Sequence, residues 1–382
     1  MIDTRLFTHR LSQLIAQPSV SCTSPKLDMS NRGVVELLAS WLKPLGFHIE
    51  LMDVAEGKVN LIATLGSGPG GLVLSGHTDT VPCNPERWQQ DPFALTERNN
   101  RYYGLGATDM KGFFPVVLAA IDGLGDELKK LRQPLIVLAT SDEESSMNGA
   151  RALAAAGRPK ARYAVIGEPT NMKPIRMHKG IMMEAVRIQG LAGHSSDPSL
   201  GHNALDAMHE VLSELITFRR DLKAHYDNPG FAVNFPTLNL GHIHGGDNPN
   251  RICGHCELHF DLRPLPGMNI DELRGNLLQR LQPVADKFHT PLQLESLIEG
   301  IDAYEEPQQS ELVALAEKLT GHKAESVAFA TEAPLLQNLG MQTLVMGPGS
   351  IDQAHQPNEY IEINQIAPAV NIVRSLIRDL CF

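Results

Sequence analysis

Gly71-Leu72-Val73-Leu74-Ser75-Gly76-His77-Thr78-Asp79-Thr80-Val81-Pro82 is the stretch from which the rest of the chain can be read. Leu72, Val73 and Leu74 make a short apolar run bounded by turn-forming residues, the pattern of a buried strand. His77 and Asp79 then emerge at its C-terminal end, where open α/β sheets place their ligands. Similar apolar runs recur near 49–54, 59–65, 135–140, 163–167 and 343–346. Helical spacing separates several of them: Leu6, Phe7, Leu11, Leu14 and Ile15 before Pro18, then Val34, Val35, Leu38 and Leu42 before Pro44, then 112–124 and 147–156. Strands alternating with helices predict an α/β fold, a mostly parallel sheet flanked by helices.

The middle of the chain has another rhythm. A strand at 183–189, a helix at 202–223, strands at 237–243 and 256–262 and a helix at 270–288 predict a small α+β unit. It reads as an insertion at 180–289 in a larger domain built from 1–179 and 290–382. The length of 382 residues suits two such units, since one hydrophobic core rarely spans so much chain.

Subtracting 44 acidic from 33 basic residues gives a net charge of -11. That charge repels nucleic acid and anionic membranes and favours a small-molecule partner. The first residues mix Asp3, Arg5, His9 and Arg10 into their apolar pattern, unlike a signal peptide, and no apolar run is long enough to span a bilayer. The five cysteines are odd in number and scattered, which suits reduced thiols. A cytoplasmic protein is expected.

Further acidic signals follow strands or loops as His77 does. Asp109 lies in the glycine-rich Gly104-Leu105-Gly106-Ala107-Thr108-Asp109-Met110-Lys111-Gly112. Glu143 and Glu144 follow the run at 135–140, Glu168 follows 163–167, and His355 follows 343–346 through Gly347-Pro348-Gly349-Ser350. Neighbouring side chains in a strand face opposite ways, so Glu143 and Glu144 serve one site only if the chain bends there. Taken singly, Asp109 reads equally well as a helix cap, Glu168 as a turn residue before Pro169, and the Glu143-Glu144 pair as a charged loop.

Taken together, these carboxylates at one sheet edge repel one another unless cations neutralise them. Asp109, Glu144, Glu168 and a hydroxide carry about four negative charges, matching two zinc ions, with neutral His77 and His355 completing the shells. Glu143 is then left over, as a general base beside an activated water must be. Asp79 is placed to hold the His77 imidazole. Cys253-Gly254-His255-Cys256 lacks the second pair of a zinc ribbon, and His242 and His244 suit a strand role better than a metal one.

These motifs, in this order, resemble the co-catalytic zinc metallopeptidase and aminoacylase family over essentially the whole chain. Its specific support is Gly193-His194-Ser195-Ser196-Asp197-Pro198, Leu240-Gly241-His242-Ile243-His244-Gly245-Gly246-Asp247, Asn250-Arg251-Ile252-Cys253, Asp261-Leu262-Arg263-Pro264-Leu265-Pro266-Gly267 and Gly347-Pro348-Gly349-Ser350. The resemblance implies that Asp109 bridges two divalent ions, zinc with cobalt as a substitute. His77 and Glu168 would complete one site, Glu144 and His355 the other. Asp79 and Glu143 match the orienting aspartate and the catalytic glutamate.

The insertion corresponds to the family's lid, which also forms a homodimer contact, and His194 would stabilise the oxyanion in the partner's active site. Asn250, Arg263 and Gly349 would touch substrate. The implied reaction is hydrolysis of a small N-acyl amino acid, with removal of acetyl from N2-acetyl-L-ornithine in arginine biosynthesis foremost. Desuccinylase, other aminoacylase and dipeptidase activities are the alternatives. A non-catalytic binding protein on this fold is the rival of another class; it would be expected to lack Glu143 or a ligand, and this chain has both.

Overall fold

The computed structural model describes residues 2–382, which fall into two compact units. The first comprises residues 2–176, Glu306–Glu325 and Glu332–Phe382, the second Met177–Glu305 and Ser326–Thr331.

In the first unit the strands lie in the order His48–Ala55, Lys58–Leu65, Leu135–Thr140, Leu72–His77, Tyr163–Pro169 and Gln342–Gly347. The last four are mutually parallel, and Lys58–Leu65 and its hairpin partner His48–Ala55 complete that side in antiparallel sense. Leu72–His77, Leu135–Thr140 and Tyr163–Pro169 are buried along their whole length, as strands covered on both faces must be. Helix Thr4–Ile15 starts at Asp3, whose side chain accepts from the Leu6 N–H, and buries Phe7, Leu11, Leu14 and Ile15 on one stripe. Phe113–Asp122, buried almost all round, packs between that helix and the C-terminal helix Ile363–Cys381.

The order of the parallel strands matters more than their number. From Leu72–His77 the chain crosses to Leu135–Thr140 on one side, then returns past it to Tyr163–Pro169 on the other. Leu72–His77 and Tyr163–Pro169 therefore flank the point where the winding direction reverses, the place where a crevice opens at the carboxyl ends of the strands. His77 is the last residue of one of these strands and Glu168 the next to last of the other.

The second unit is a four-stranded antiparallel sheet in the order Thr237–Gly245, His255–Arg263, Met182–Gln189 and Leu292–Ser296. Along His255–Arg263 the buried residues alternate as Cys256, Leu258, Phe260 and Leu262, facing helices Ala204–His225 and Ile270–Phe288. Cys253 and Cys256 are buried thiols of this core, and the Cys253 Sγ donates to the His255 carbonyl at 3.1 Å. The unit extends beyond the expected 180–289. Leu292–Ser296 pairs with Met182–Gln189, from Leu292 opposite Ile188 to Ser296 opposite Glu184, and draws residues up to Glu305 into this core. Its alternation, Leu292-Gln293-Leu294-Glu295, brings only two apolar residues and is too brief to stand out in the sequence.

Gly167 is a tight point beside the crevice. A Cβ there would lie 2.1 Å from Cγ of Phe113, in the first turn of the buried helix. Gly167→Ala is expected to lower stability by about 1–3 kcal/mol through overpacking, read as a lower urea midpoint at unchanged m-value. An unaltered midpoint would show that the Phe113 ring yields and that the contact sets no limit.

Candidate active site

Five chain segments converge at the carboxyl edge of the first unit's sheet, and His77 shows what they converge on. Its Nδ1 lies 3.1 Å from the Asp79 carbonyl oxygen, which only accepts, so Nδ1 carries the proton and donates. Nε2 then presents its lone pair to Asp109 Oδ1 at 3.0 Å and Glu168 Oε1 at 3.8 Å. A lone pair aimed at carboxylates is stable only with a proton or a cation between them. A ring nitrogen held by a backbone carbonyl while the other faces carboxylates is the usual setting of a metal-binding histidine.

Asp109 has a second such contact on its other oxygen. His355 Nε2 lies 3.5 Å from Asp109 Oδ2 and 3.0 Å from Glu144 Oε2. The result is two groups, His77 with Asp109 and Glu168, and Asp109 with Glu144 and His355. In each group the donor atoms all lie within 4.8 Å of one another. The first is buried, whereas the second opens to solvent through the exposed His355.

Electrostatics point the same way. Burial acts to lower the His77 pKa, but the hydrogen bond to Asp109 and the charges of Glu168, Asp79 and Glu143 outweigh it and hold it well above the histidine range. Contacts with Asp109 and Glu144 push His355 up to about 10. Burial works to raise Asp109, and the two histidines overcome it and hold the carboxyl well below its ordinary value. Glu143, Glu144 and Glu168 are all pushed up, first by burial and then by neighbouring carboxylates. Glu168 Oε1 is buried and makes no hydrogen bond. So many oxygens with so few donors fit divalent cations, whose charge removes both the repulsion and the unmet acceptors.

The bend required of the Glu143-Glu144 pair is present. Asp142 takes a left-handed conformation at φ 57°, and its carbonyl accepts from the Ser146 and Met147 N–H groups, closing a turn over 143–146. Lys58 ties that turn down: its ammonium donates to Asp142 at 2.6 Å and Asp28 at 2.7 Å. Ser21 also donates to Asp142. Glu144 joins the second group, and Glu143 stands half-buried beside both and belongs to neither.

Asp79 is placed differently from the reading above. Its carboxylate lies 3.7 Å from His77 Nδ1, whose hydrogen bond goes to the Asp79 backbone instead. The other carboxylate oxygen accepts from the Glu144 N–H at 3.0 Å, so Asp79 couples the His77 strand end to the glutamate turn. Gly349, at φ 87°, donates to Gln365 and lies so close to Thr108 that a Cβ would meet its methyl at 2.8 Å.

His194, Asn250 and Arg263 belong to the second unit. His194 is exposed and its Nδ1 is 2.7 Å from the Ser196 hydroxyl; Asn250 is exposed and its carbonyl accepts from the Ser195 N–H; Arg263 pairs with Asp261 at 3.0 Å. The His242 ring lies tilted against that of His259, with centroids 5.0 Å apart. Among the described residues, neither belongs to a group able to hold a metal.

Three buried residues near the centre escaped the sequence reading. Lys58 opens a strand, Glu332 sits in Ala330-Thr331-Glu332-Ala333, and Glu359 follows His355 by four residues. Burial pushes Glu332 up to about 7, and its charge helps raise Glu143 and Glu168. Of the three, only Glu359 had a signal to offer, its place in His355-Gln356-Pro357-Asn358-Glu359.

Comparison with known proteins places this geometry. Residues 73–379 match Peptidase family M20/M25/M40. The chain is 50% identical over 377 residues to an acetylornithine deacetylase of Photorhabdus laumondii, covering 98% of this chain and 97% of the relative. An acetylornithine deacetylase of Proteus mirabilis matches with the same identity and coverage. Among solved structures, aminopeptidase PepT from Bacillus cereus superposes with a TM-score of 0.77 at 17% identity, covering 99% of each chain. An M20 family metallo-carboxypeptidase from Sulfolobus solfataricus gives 0.76 at 19%, covering 97% of this chain and 98% of its own. A Bacillus subtilis protein described as a dinuclear metal binding peptidase gives 0.69 at 13%, covering 99% of each. At these identities the structures share the fold, and the sequence matches go further: the chain belongs to peptidase family M20/M25/M40.

Proposed function

We propose that the protein is an amide hydrolase that removes the acetyl group from N2-acetyl-L-ornithine, releasing L-ornithine and acetate for arginine biosynthesis. One observation carries the reaction class: two donor groups share Asp109, and a spare carboxylate, Glu143, stands beside them. The choice of substrate is supported by the 50% identity to relatives named acetylornithine deacetylase.

In this reading His77, Asp109 and Glu168 hold one divalent ion, and Asp109, Glu144 and His355 the other, with zinc the native metal and cobalt able to replace it. When bound, the ions supply Lewis-acid polarisation of the acetyl carbonyl and a lowered pKa for the attacking water. Glu143 takes the proton of that water as the new C–O bond forms. It then delivers the proton to the α-nitrogen as the C–N bond breaks, so acetate and a free amine leave. Asp79 keeps the His77 strand end and the Glu143-Glu144 turn in fixed relation through its bond to the Glu144 N–H.

The second unit acts as the lid and as the contact of a homodimer, and His194 stabilises the oxyanion formed in the partner's active site. Asn250, Arg263 and Gly349 contact the substrate. A cytoplasmic setting is supported by five free cysteines, and no helix among the described residues is long and apolar enough to cross a membrane.

Purified protein supplied with zinc or cobalt is expected to hydrolyse N2-acetyl-L-ornithine with a kcat/KM at least about tenfold above that for N-succinyl amino acids and dipeptides. Preference for a succinyl group would reassign the pocket while leaving the chemistry in place. Glu143→Ala is expected to keep both ions by elemental analysis while kcat falls by about 10²–10⁴. Near-normal turnover in that variant would remove Glu143 from proton transfer. For His194→Ala, mixing with Glu143→Ala protein is expected to restore part of the activity, because hybrid dimers contain one intact combination. No recovery after verified subunit exchange would refute action across subunits.

A further inference from the structure

Glu359 was not among the residues expected to serve the site, yet its carboxylate meets the segment that presents Asp109 at three points. Oε1 accepts from the Thr108 N–H at 2.7 Å and from the Asp109 N–H at 3.0 Å, and Oε2 accepts from the Gly106 N–H at 3.0 Å. The Glu359 carbonyl accepts from the Gly104 N–H at 3.1 Å, and the Thr108 hydroxyl donates to the Tyr360 carbonyl at 2.5 Å. Just beyond, Tyr360–Glu362 pairs antiparallel with Arg101–Tyr103. Glu359 is 1% exposed, so these amides are met by its oxygens away from bulk water.

Two features make this more than a local fold contact. The residues gripped end at Asp109, the one side chain common to both donor groups, with Oδ1 toward His77 and Oδ2 toward His355. The gripping residue lies four positions after His355, so one short segment both contributes to the second group and holds the residue shared with the first. A rotation of the Asp109 peptide would turn both oxygens away together. With its two oxygens Glu359 fixes the directions of three amides, those of Gly106, Thr108 and Asp109, in the run that leads to that side chain.

We propose that Glu359 is a positioning residue for the metal bridge: by accepting the Gly106, Thr108 and Asp109 N–H groups, it sets the backbone so that Asp109 offers one oxygen to each donor group. The inference rests on the two-ion reading of the site. It predicts that losing the Glu359 carboxylate weakens both ions together, whereas loss of a ligand belonging to one group weakens one. Supporting groups of this kind typically change metal affinity by about 10–100-fold.

Metal-depleted protein is titrated with zinc against a chromophoric chelator for wild type, Glu359→Gln, Glu359→Ala and Leu42→Ala, the last a core truncation in helix Arg32–Leu42. Wild type is expected to take up two ions. Glu359→Gln retains one oxygen but turns an amide donor toward another N–H, and is expected to weaken both ions about tenfold; Glu359→Ala is expected to weaken both about a hundredfold. Leu42→Ala is expected to lose stability and bind as wild type does.

Wild-type affinity at both sites in a folded Glu359→Gln, judged by circular dichroism, would overturn the inference and leave the two-ion reading intact. So would loss at one site only, or an equal loss in Leu42→Ala. A wild type that takes up no zinc would overturn the two-ion reading instead. Should Glu359→Ala fail to fold, the near-isosteric Glu359→Gln decides the matter.

Discussion

Asp109 keeps one carboxylate oxygen 3.0 Å from an imidazole on one side and the other 3.5 Å from an imidazole on the opposite side, and the rest of the first unit is arranged so that it can. Glu144 and Glu168 crowd the same space from different strand ends. Oxygens packed this closely cannot all be charged without compensation in a buried setting, and the chain brings only two histidines among the donor atoms to compensate. The crevice is thus a place of stored repulsion, held open by a sheet whose parallel strands are buried on both faces. The cost of that repulsion is met by whatever cation the site takes up, which couples affinity for the cation to the stability of the folded chain.

Much of this was legible in the residues. The apolar runs ending at His77, Thr140 and Gly167 predict buried parallel strands because such strands have no polar face to break the run. The donors then fall at their carboxyl ends by the geometry of a wound sheet. The sharp bend at Asp142 was required by chemistry before it was seen, since adjacent glutamates in an extended chain cannot share a site.

What could not be read has physical reasons too. Leu292–Ser296 hides because an edge strand needs little apolar surface, and its identity lies in a partner more than a hundred residues away. Lys58, Glu332 and Glu359 hide because a buried charge is conspicuous only by its burial, and in a sequence it looks like any surface residue. Asp79 shows a further limit. Spacing placed it beside His77 correctly, yet a two-residue spacing does not say whether the backbone carbonyl or the carboxylate makes the contact, and here the carbonyl does.

The grip of Glu359 on the Asp109 backbone also bears on how the protein is made. Its partners are separated by some 250 positions of chain, so the contact can form only after that long intervening stretch has been made. His77, Asp109, Glu144 and Glu168 have all left the ribosome long before Glu359 does, and until then the acidic crevice lacks its closing segment. Completion of the centre therefore waits on chain made long after these four donor residues, and in the interval the crowded carboxylates lack the segment that aligns Asp109.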